Sequence, residues 1–175
     1  MIRKSKKFDW PKKLWDKPRI LEENKLVEEY GLKNKKEIWK TDAKIKYFRN
    51  RAKALITADS SDQEAFFNKL NIIGLKVSSI SDVLALEIED LLKRRLSTVV
   101  WKKGLANTAK NARQLITHKK VKVGEIVVDV PSYIVKLAEE KTLTIKLKVK
   151  KPKQVVAGEQ ITEDQEMKEE EIQNA

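Results

Sequence analysis

Apolar residues recur at helical spacing along most of this chain and at alternate positions near its end. Pro18 suits the first turn of a helix, and Gly31 suits a left-handed stop. Between them Leu26, Val27 and Tyr30 mark a buried stripe, with Leu21, Lys25 and Glu28 to one side. Asn34, with Glu37 three positions later, forms a capping-box pattern. Ile38, Ile45, Phe48, Ala52 and Leu55 then keep the helical period to about Ile56. Ser61 with Glu64 repeats the capping pattern for a short helix packed through Ala65, Phe66, Phe67 and Leu70, ending near Gly74. Val77 to Ser81 reads as a connector. The stretch 83–86 leads into a long helix from about Glu87 to Gly104, striped by Ile88, Leu91, Leu92, Leu96, Val99 and Val100. Thr108 or Asn107 caps the next helix, where Leu105, Ala109, Ala112 and Ile116 share one face and Lys110, Arg113, Gln114 and Thr117 the other. The two small alanines allow close helix approach.

After His118 the period changes to two. Val121 to Val123, a Gly124-Glu125 turn and Ile126 to Val128 read as a hairpin, with glycine at the first central position of a primed turn. Pro131 to Val135 continues extended, since proline favours an edge or a strand start. Leu143, Ile145, Leu147 and Val149 alternate with polar residues as a half-buried strand. The pattern gives an α+β chain, mostly helical first and sheet-forming afterwards.

Charge changes this picture more than composition does. The chain has 175 residues and a net charge of +12, unevenly placed. From Val155 onward seven acids face one lysine, which leaves that tail at −6 and residues 1–154 at +18. The acidic, aromatic-free stretch is expected to be disordered. From Leu91 to Gly124 there is no acid at all, while ten lysines and arginines occur. An acid-free run of that length inside a folding segment suits a phosphate-binding surface, with a solvated basic face as the bland alternative. Lys36, Lys40 and Lys44 form one cationic row on the predicted second helix, and Lys46, Arg49 and Lys53 another. At the start, Lys6, Lys7, Lys12 and Lys13 interleave with Phe8, Trp10 and Trp15. That arrangement suits an RNA strand, cations on phosphates and rings on bases, or else tryptophans that pin the arm to the body.

Other chemistries find little support. The absence of cysteine excludes disulfides and thiolate metal sites. The five glycines are too dispersed for a phosphate-cradling loop, and the single histidine, His118, has no acid beside it in sequence to orient it as a base. No run of 18 apolar residues and no secretory leader pattern is present, and no segment sets cations against a broad apolar face, so a soluble cytoplasmic protein without a membrane partner is expected.

Several motifs carry a resemblance. They are Arg94 to Val100, Gly104-Leu105-Ala106, Ala112 to His118 and Val130 to Tyr133, preceded by Tyr30 to Lys40 and Asp82-Val83-Leu84. In this order they resemble small-subunit ribosomal protein four, the uS-four family, in its archaeal and eukaryotic branch, over roughly residues 10–149. The resemblance implies an S-four RNA-binding module of two helices against a small, mostly antiparallel sheet, joined to an amino-terminal helical region. The expected layout is a basic arm at 1–18, a helical region at 19–86, the module at 87–152 and the acidic tail at 153–175. The family's work is to bind small-subunit rRNA early in assembly of the subunit body, among neighbouring ribosomal proteins, near the messenger RNA entry channel, with a contribution to decoding accuracy. It is not an enzyme, and no cofactor or metal is carried over.

RNA contacts are accordingly expected at Arg94, Arg95, Lys102, Lys103, Thr108, Lys110, Arg113, Gln114, His118, Lys119 and Lys120. The rows Lys36, Lys40, Lys44, Arg49 and Lys53 and the arm's Lys6, Lys7, Lys12 and Lys13 complete the set. Arg94 and Arg95 lie within helical reach of Glu89 and Asp90, so pairing there is the alternative. Three departures from the family pattern stand out: Gly124-Glu125 in place of an Asn-Gly turn, Lys119-Lys120 where glycine often follows the histidine, and Glu87 where a threonine-like cap is usual. A free-standing S-four RNA-binding protein and a helix-turn-helix DNA regulator are the rival readings.

Overall fold

The computed structural model describes residues 6–146. Five helices come first: α1 (Lys17–Glu29), α2 (Lys36–Ala54), α3 (Ser60–Ile73), α4 (Ile80–Ala85) and α5 (Ile88–Lys93). Then α6 (Leu96–Lys102) and α7 (Ala109–Thr117) pack on each other beside a small sheet of β1 (Val121–Val123), β2 (Ile126–Val127) and β3 (Leu143–Ile145), with α8 (Leu137–Glu140) before the last strand. The sheet is antiparallel in the order β2-β1-β3, with Val123 opposite Ile126 in the hairpin and Val121 opposite Ile145 on the other side. Gly124 takes a positive φ of 60°, as the primed turn requires. The α+β class is thus the observed one. Leu147, Val149 and the acidic tail lie outside the described residues.

The apolar spacing decides the cores. Leu96, Val99, Val100, Ala112, Ile116, Val121 and Val135 form one buried cluster between α6, α7 and the strands. Ile45, Ala52, Leu70, Val83 and Leu91 form a second among α2 to α5, and Tyr30, Leu32, Ile38 and Leu92 a third between α1, α2 and α5. Such burial stabilises by about 25 cal/mol per Å² of apolar surface.

Helix starts and breaks depart from the sequence pattern in four places. The expected helix from 87 to 104 is two helices. The backbone around Arg94–Leu96 pairs instead with the segment after the hairpin: Leu96 N–H donates to Tyr133 O at 2.8 Å, Val135 N–H donates to Arg94 O at 3.0 Å, and Arg95 bridges Ile134. That one bridge is all the strand-like pairing of 131–135 among the described residues; Pro131 and Ser132 turn instead of continuing extended, with Tyr133 N–H donating to Val130 O at 3.2 Å. Glu37 does not complete a capping box; Asn34 Oδ1 accepts from Lys36 N–H at 3.1 Å while the Glu37 carboxylate points to two arginines. The third helix begins after Asp59, not at Ser61. The connector after Val77 holds α4, whose capping box is Ser79 with Asp82. Three N–H or O–H donors of Ser78 and Ser79 converge on Asp82 Oδ2 at 2.8–2.9 Å and hold that carboxyl down at about 2. Glu87 is resolved in the same manner: its N–H donates to Asp90 Oδ2 at 3.1 Å, so the helix opens at Ile88 without a threonine.

A single close contact fixes how the end of α1 meets α7. Gly31 has φ +59°, and a Cβ there would lie 2.9 Å from the backbone of both Ala109 and Lys110. Glycine therefore serves twice, ending α1 in a left-handed turn and admitting the first turn of α7.

Candidate nucleic-acid interface

The outer face of α7 is built as the spacing requires. Thr108 Oγ1 accepts from Asn111 N–H at 3.1 Å and starts the helix; Ala109, Ala112 and Ile116 are buried on the inner side. Lys110, Gln114 and Thr117 are exposed on the outer side. The helix ends in a Schellman turn, Lys120 N–H donating to Leu115 O at 3.0 Å and Lys119 N–H to Ile116 O at 2.9 Å. His118 is the exposed cap residue. Lys119 sits at φ +57°, the only non-glycine with positive φ among the described residues. Lys102, Lys119 and Lys120 are exposed as well. Lys103 is exposed too, but its ammonium is bound to the Glu140 carbonyl.

The arginines behave differently. Arg94 donates from Nε to Ile73 O at 2.8 Å, from Nη1 to Glu140 Oε2 at 2.9 Å and from Nη2 to Val135 O at 3.0 Å. It thereby ties the end of α3 to the segment around α8. Arg95 is only 4% exposed and donates to Glu37 Oε2 at 2.5 Å. Arg113, on α7, donates to both Glu37 oxygens, at 2.8 and 3.2 Å. None of the three pairs with Glu89 or Asp90; those acids go to Lys93. Burial alone would raise the Glu37 carboxyl, but the hydrogen bonds from Arg113 and Arg95 outweigh it and hold the group below the ordinary carboxylate value. Guanidinium suits this work because its planar fork can serve two acceptor atoms at once.

Beside this triad lies a cleft of about 400 Å³, lined by Lys7, Lys40 and Lys44 together with Glu37, Arg95 and Arg113. Lys40 and Lys44 of the first row of α2, and Lys7 of the arm, therefore share this cleft with Arg113 of α7. The Lys44 ammonium is held below the usual lysine value by lost solvation and then by the like charges of Lys7 and Arg95. Other expected residues lie elsewhere. Arg49 donates to Leu86 O at 2.6 Å and caps the end of α4. Lys36 stands 5.6 Å from the Trp10 ring centroid. Lys6 and Lys53 are exposed. Lys12 and Lys13 border a second depression that also contains Asp9, Asp16, Glu22 and Asp42, so acids surround them. The arm's tryptophans divide: Trp10 packs 5.2 Å from Trp39, while Trp15 is 89% exposed.

The sequence of this chain matches known proteins. Residues 94–141 match the S4 domain model, which takes in the 94–96 break, α6, α7 and the hairpin. The chain is 40% identical over 149 residues to small ribosomal subunit protein uS4 of Methanococcus aeolicus, covering 81% of this chain and 84% of the relative. It is 42% identical over 141 residues to the same protein of Methanothermobacter thermautotrophicus (77% and 82%), and 41% identical over 144 residues to that of Ignicoccus hospitalis (79% and 87%). The chain belongs to the uS4 family. This is a family of ribosomal proteins rather than of enzymes.

Within this uS4-family chain, sequence reasoning missed Glu37 as the residue that organises the cleft. A signal was available: Glu37 is the one acid between Lys33 and Lys40, a stretch with four lysines. Trp39 was missed as well. Its indole N–H donates to buried Glu23 at 2.9 Å, and its ring meets Phe8 and Trp10, which anchors the arm. Among the described residues no group of three or more His, Asp or Glu side chains is placed to hold a metal, and no helix is long and apolar enough to cross a membrane.

Proposed function

We propose that the chain is a structural protein of the small ribosomal subunit that binds small-subunit rRNA directly, in the cytoplasm. The relatives it matches are named as small ribosomal subunit proteins, and the observation that carries RNA binding is the cleft, where five cationic side chains surround one carboxylate. The open face of α7, with Lys110, Gln114 and the lysines around its end, extends that surface without an acid from Leu91 to Gly124. Phosphate contacts of this kind position a protein on folded RNA by shape and backbone. On this reading the arm (1–18), helical region (19–86) and module (87–152) act together, and the acidic tail (153–175) stands apart. Nucleation of the subunit body, nearness to messenger RNA at the entry channel, contacts with neighbouring ribosomal proteins and a part in decoding accuracy belong to the same proposal.

The test is binding of the full chain to a folded small-subunit rRNA fragment across a salt series, alongside duplex DNA of equal length. Expected are preference for the rRNA and a linear fall of log K with log salt. Equal or stronger binding to the duplex would end the ribosomal reading. Co-sedimentation with small subunits that survives washing at moderate salt is the cellular counterpart.

A further inference from the structure

The cleft has one property that RNA binding by a broad basic face does not require. Among the described residues its only acid, Glu37, already accepts three hydrogen bonds from Arg95 and Arg113. Lys7, Lys40 and Lys44 are therefore left facing the same small space, and none of the three forms an ion pair among the described residues. The five cations and one carboxylate leave four positive charges around about 400 Å³. That volume is at the small end of ligand sites. Arg95, almost wholly buried in the wall, also has its Nε enclosed without a partner among the described residues. Cations gathered this closely repel one another, and the cost falls when an anion enters.

We infer that this cleft is a seat for a single phosphate group, gripped jointly by the arm, by α2 and by the joint with α7. Glu37 is the built-in counter-ion that holds the two arginines side by side beneath it. The ligand class is a phosphate anion, either one phosphodiester of an RNA backbone or a free or terminal phosphate. The backbone source rests on the function proposed above; the seat itself does not. Because contacts from three separate segments converge, the phosphate also ties those segments together, so its binding stabilises the fold and not merely the complex.

The experiment uses the full chain, the double variant K40A/K44A, and K69A, which removes a lysine of α3 outside the cleft lining. Thermal unfolding is compared in sodium phosphate and in sodium chloride of equal ionic strength, and rRNA-fragment binding is followed across a salt series. Expected for wild type and K69A is a rise in Tm in phosphate over chloride, absent in K40A/K44A. The double variant should lower the log–log salt slope by about 0.7–0.9, the value of one phosphate, although two lysines are lost. A phosphate-specific rise that the variant abolishes, with RNA slope unchanged, supports the seat and assigns it to free phosphate. A slope loss of one phosphate without a rise in inorganic phosphate supports it as a backbone seat. A slope loss near twice that value overturns the single seat, since each lysine would then hold its own phosphate. Wild type that binds rRNA while the double variant changes neither readout overturns it too. Failure of wild type to bind rRNA, with the phosphate rise intact, defeats the proposed function and leaves the seat standing. Should K40A/K44A fold poorly by circular dichroism, Lys44→Gln alone repeats the comparison.

Discussion

The two sides of α7 use positive charge in opposite ways. On the side toward α2, Arg113 and Arg95 share one carboxylate and are largely withdrawn from water. On the outer side, Lys110 and the residues past the helix end stand in solvent with no acid near them in sequence. Arginine can hold a fixed, multidentate geometry inside a joint, whereas the lysine ammonium is a strongly hydrated point charge suited to an open phosphate surface. A count of cations therefore overstates the surface: of the arginines expected there, Arg94 and Arg49 mainly bind backbone carbonyls and Arg95 is a buried strut.

The joint is where the comparison breaks most easily. Gly31→Ala places a methyl 2.9 Å from two backbone atoms of α7 at a left-handed φ. Strain of the backbone and the clash together are expected to cost about 3 kcal/mol, measured by urea unfolding. A loss below about 1 kcal/mol would mean that the two parts are not pressed together there.

Glu37→Gln tests the same joint through charge. It leaves Arg95 and Arg113 adjacent without their shared anion, at a cost of about 2 kcal/mol near neutral pH, the scale of hydrogen bonds to a charged group. Glu37 is ionised below its ordinary value in the folded chain, so the ion pair's contribution is fully present above pH 4.5 and is lost as the pH falls through the lower folded value. The unfolding curves of wild type and variant should thus converge below pH 4.5. A constant gap down to strongly acidic pH would assign the effect to packing rather than charge.

At the start of α7 the effect is smaller. Thr108→Ala removes the acceptor of the Asn111 N–H and should cost about 1 kcal/mol. Since the cap precedes both faces, the loss should appear in stability, with the salt slope of RNA binding unchanged.

These residues also show what a single sequence could reveal. The seam of α7, its threonine cap, the glycine-opened hairpin and Gly31 as a stop were legible because each depends on local geometry. The break at Arg94–Arg95 was not, since the partners that take its backbone groups lie about 40 residues later, at Tyr133 to Val135. Glu37 was misread for a related reason: three positions after Asn34 a local capping role is the obvious one, yet the carboxylate is claimed by arginines 58 and 76 residues away. The lysine surface was legible in kind, but which lysines share a cleft depends on tertiary packing alone.

The smallest expected effect lies on the open side and runs the other way. Lys119, the residue after His118, occupies a backbone conformation, φ +57°, that glycine adopts freely. It is the residue after the cap in the Schellman turn, so the turn itself demands that conformation. Lys119→Gly removes the steric cost while giving the unfolded chain more freedom, and the balance should stabilise by about 0.5–1 kcal/mol. The side chain is exposed and has no ion-pair partner among the described residues to lose. If Lys119 contacts a backbone phosphate, the same substitution should lower the RNA salt slope by about 0.7–0.9. A more stable protein that holds RNA less salt-dependently would show that this lysine is kept for charge against the preference of the fold. A more stable protein with an unchanged slope would take Lys119 out of the interface and confine the open face to Lys110, Gln114 and their neighbours along the helix.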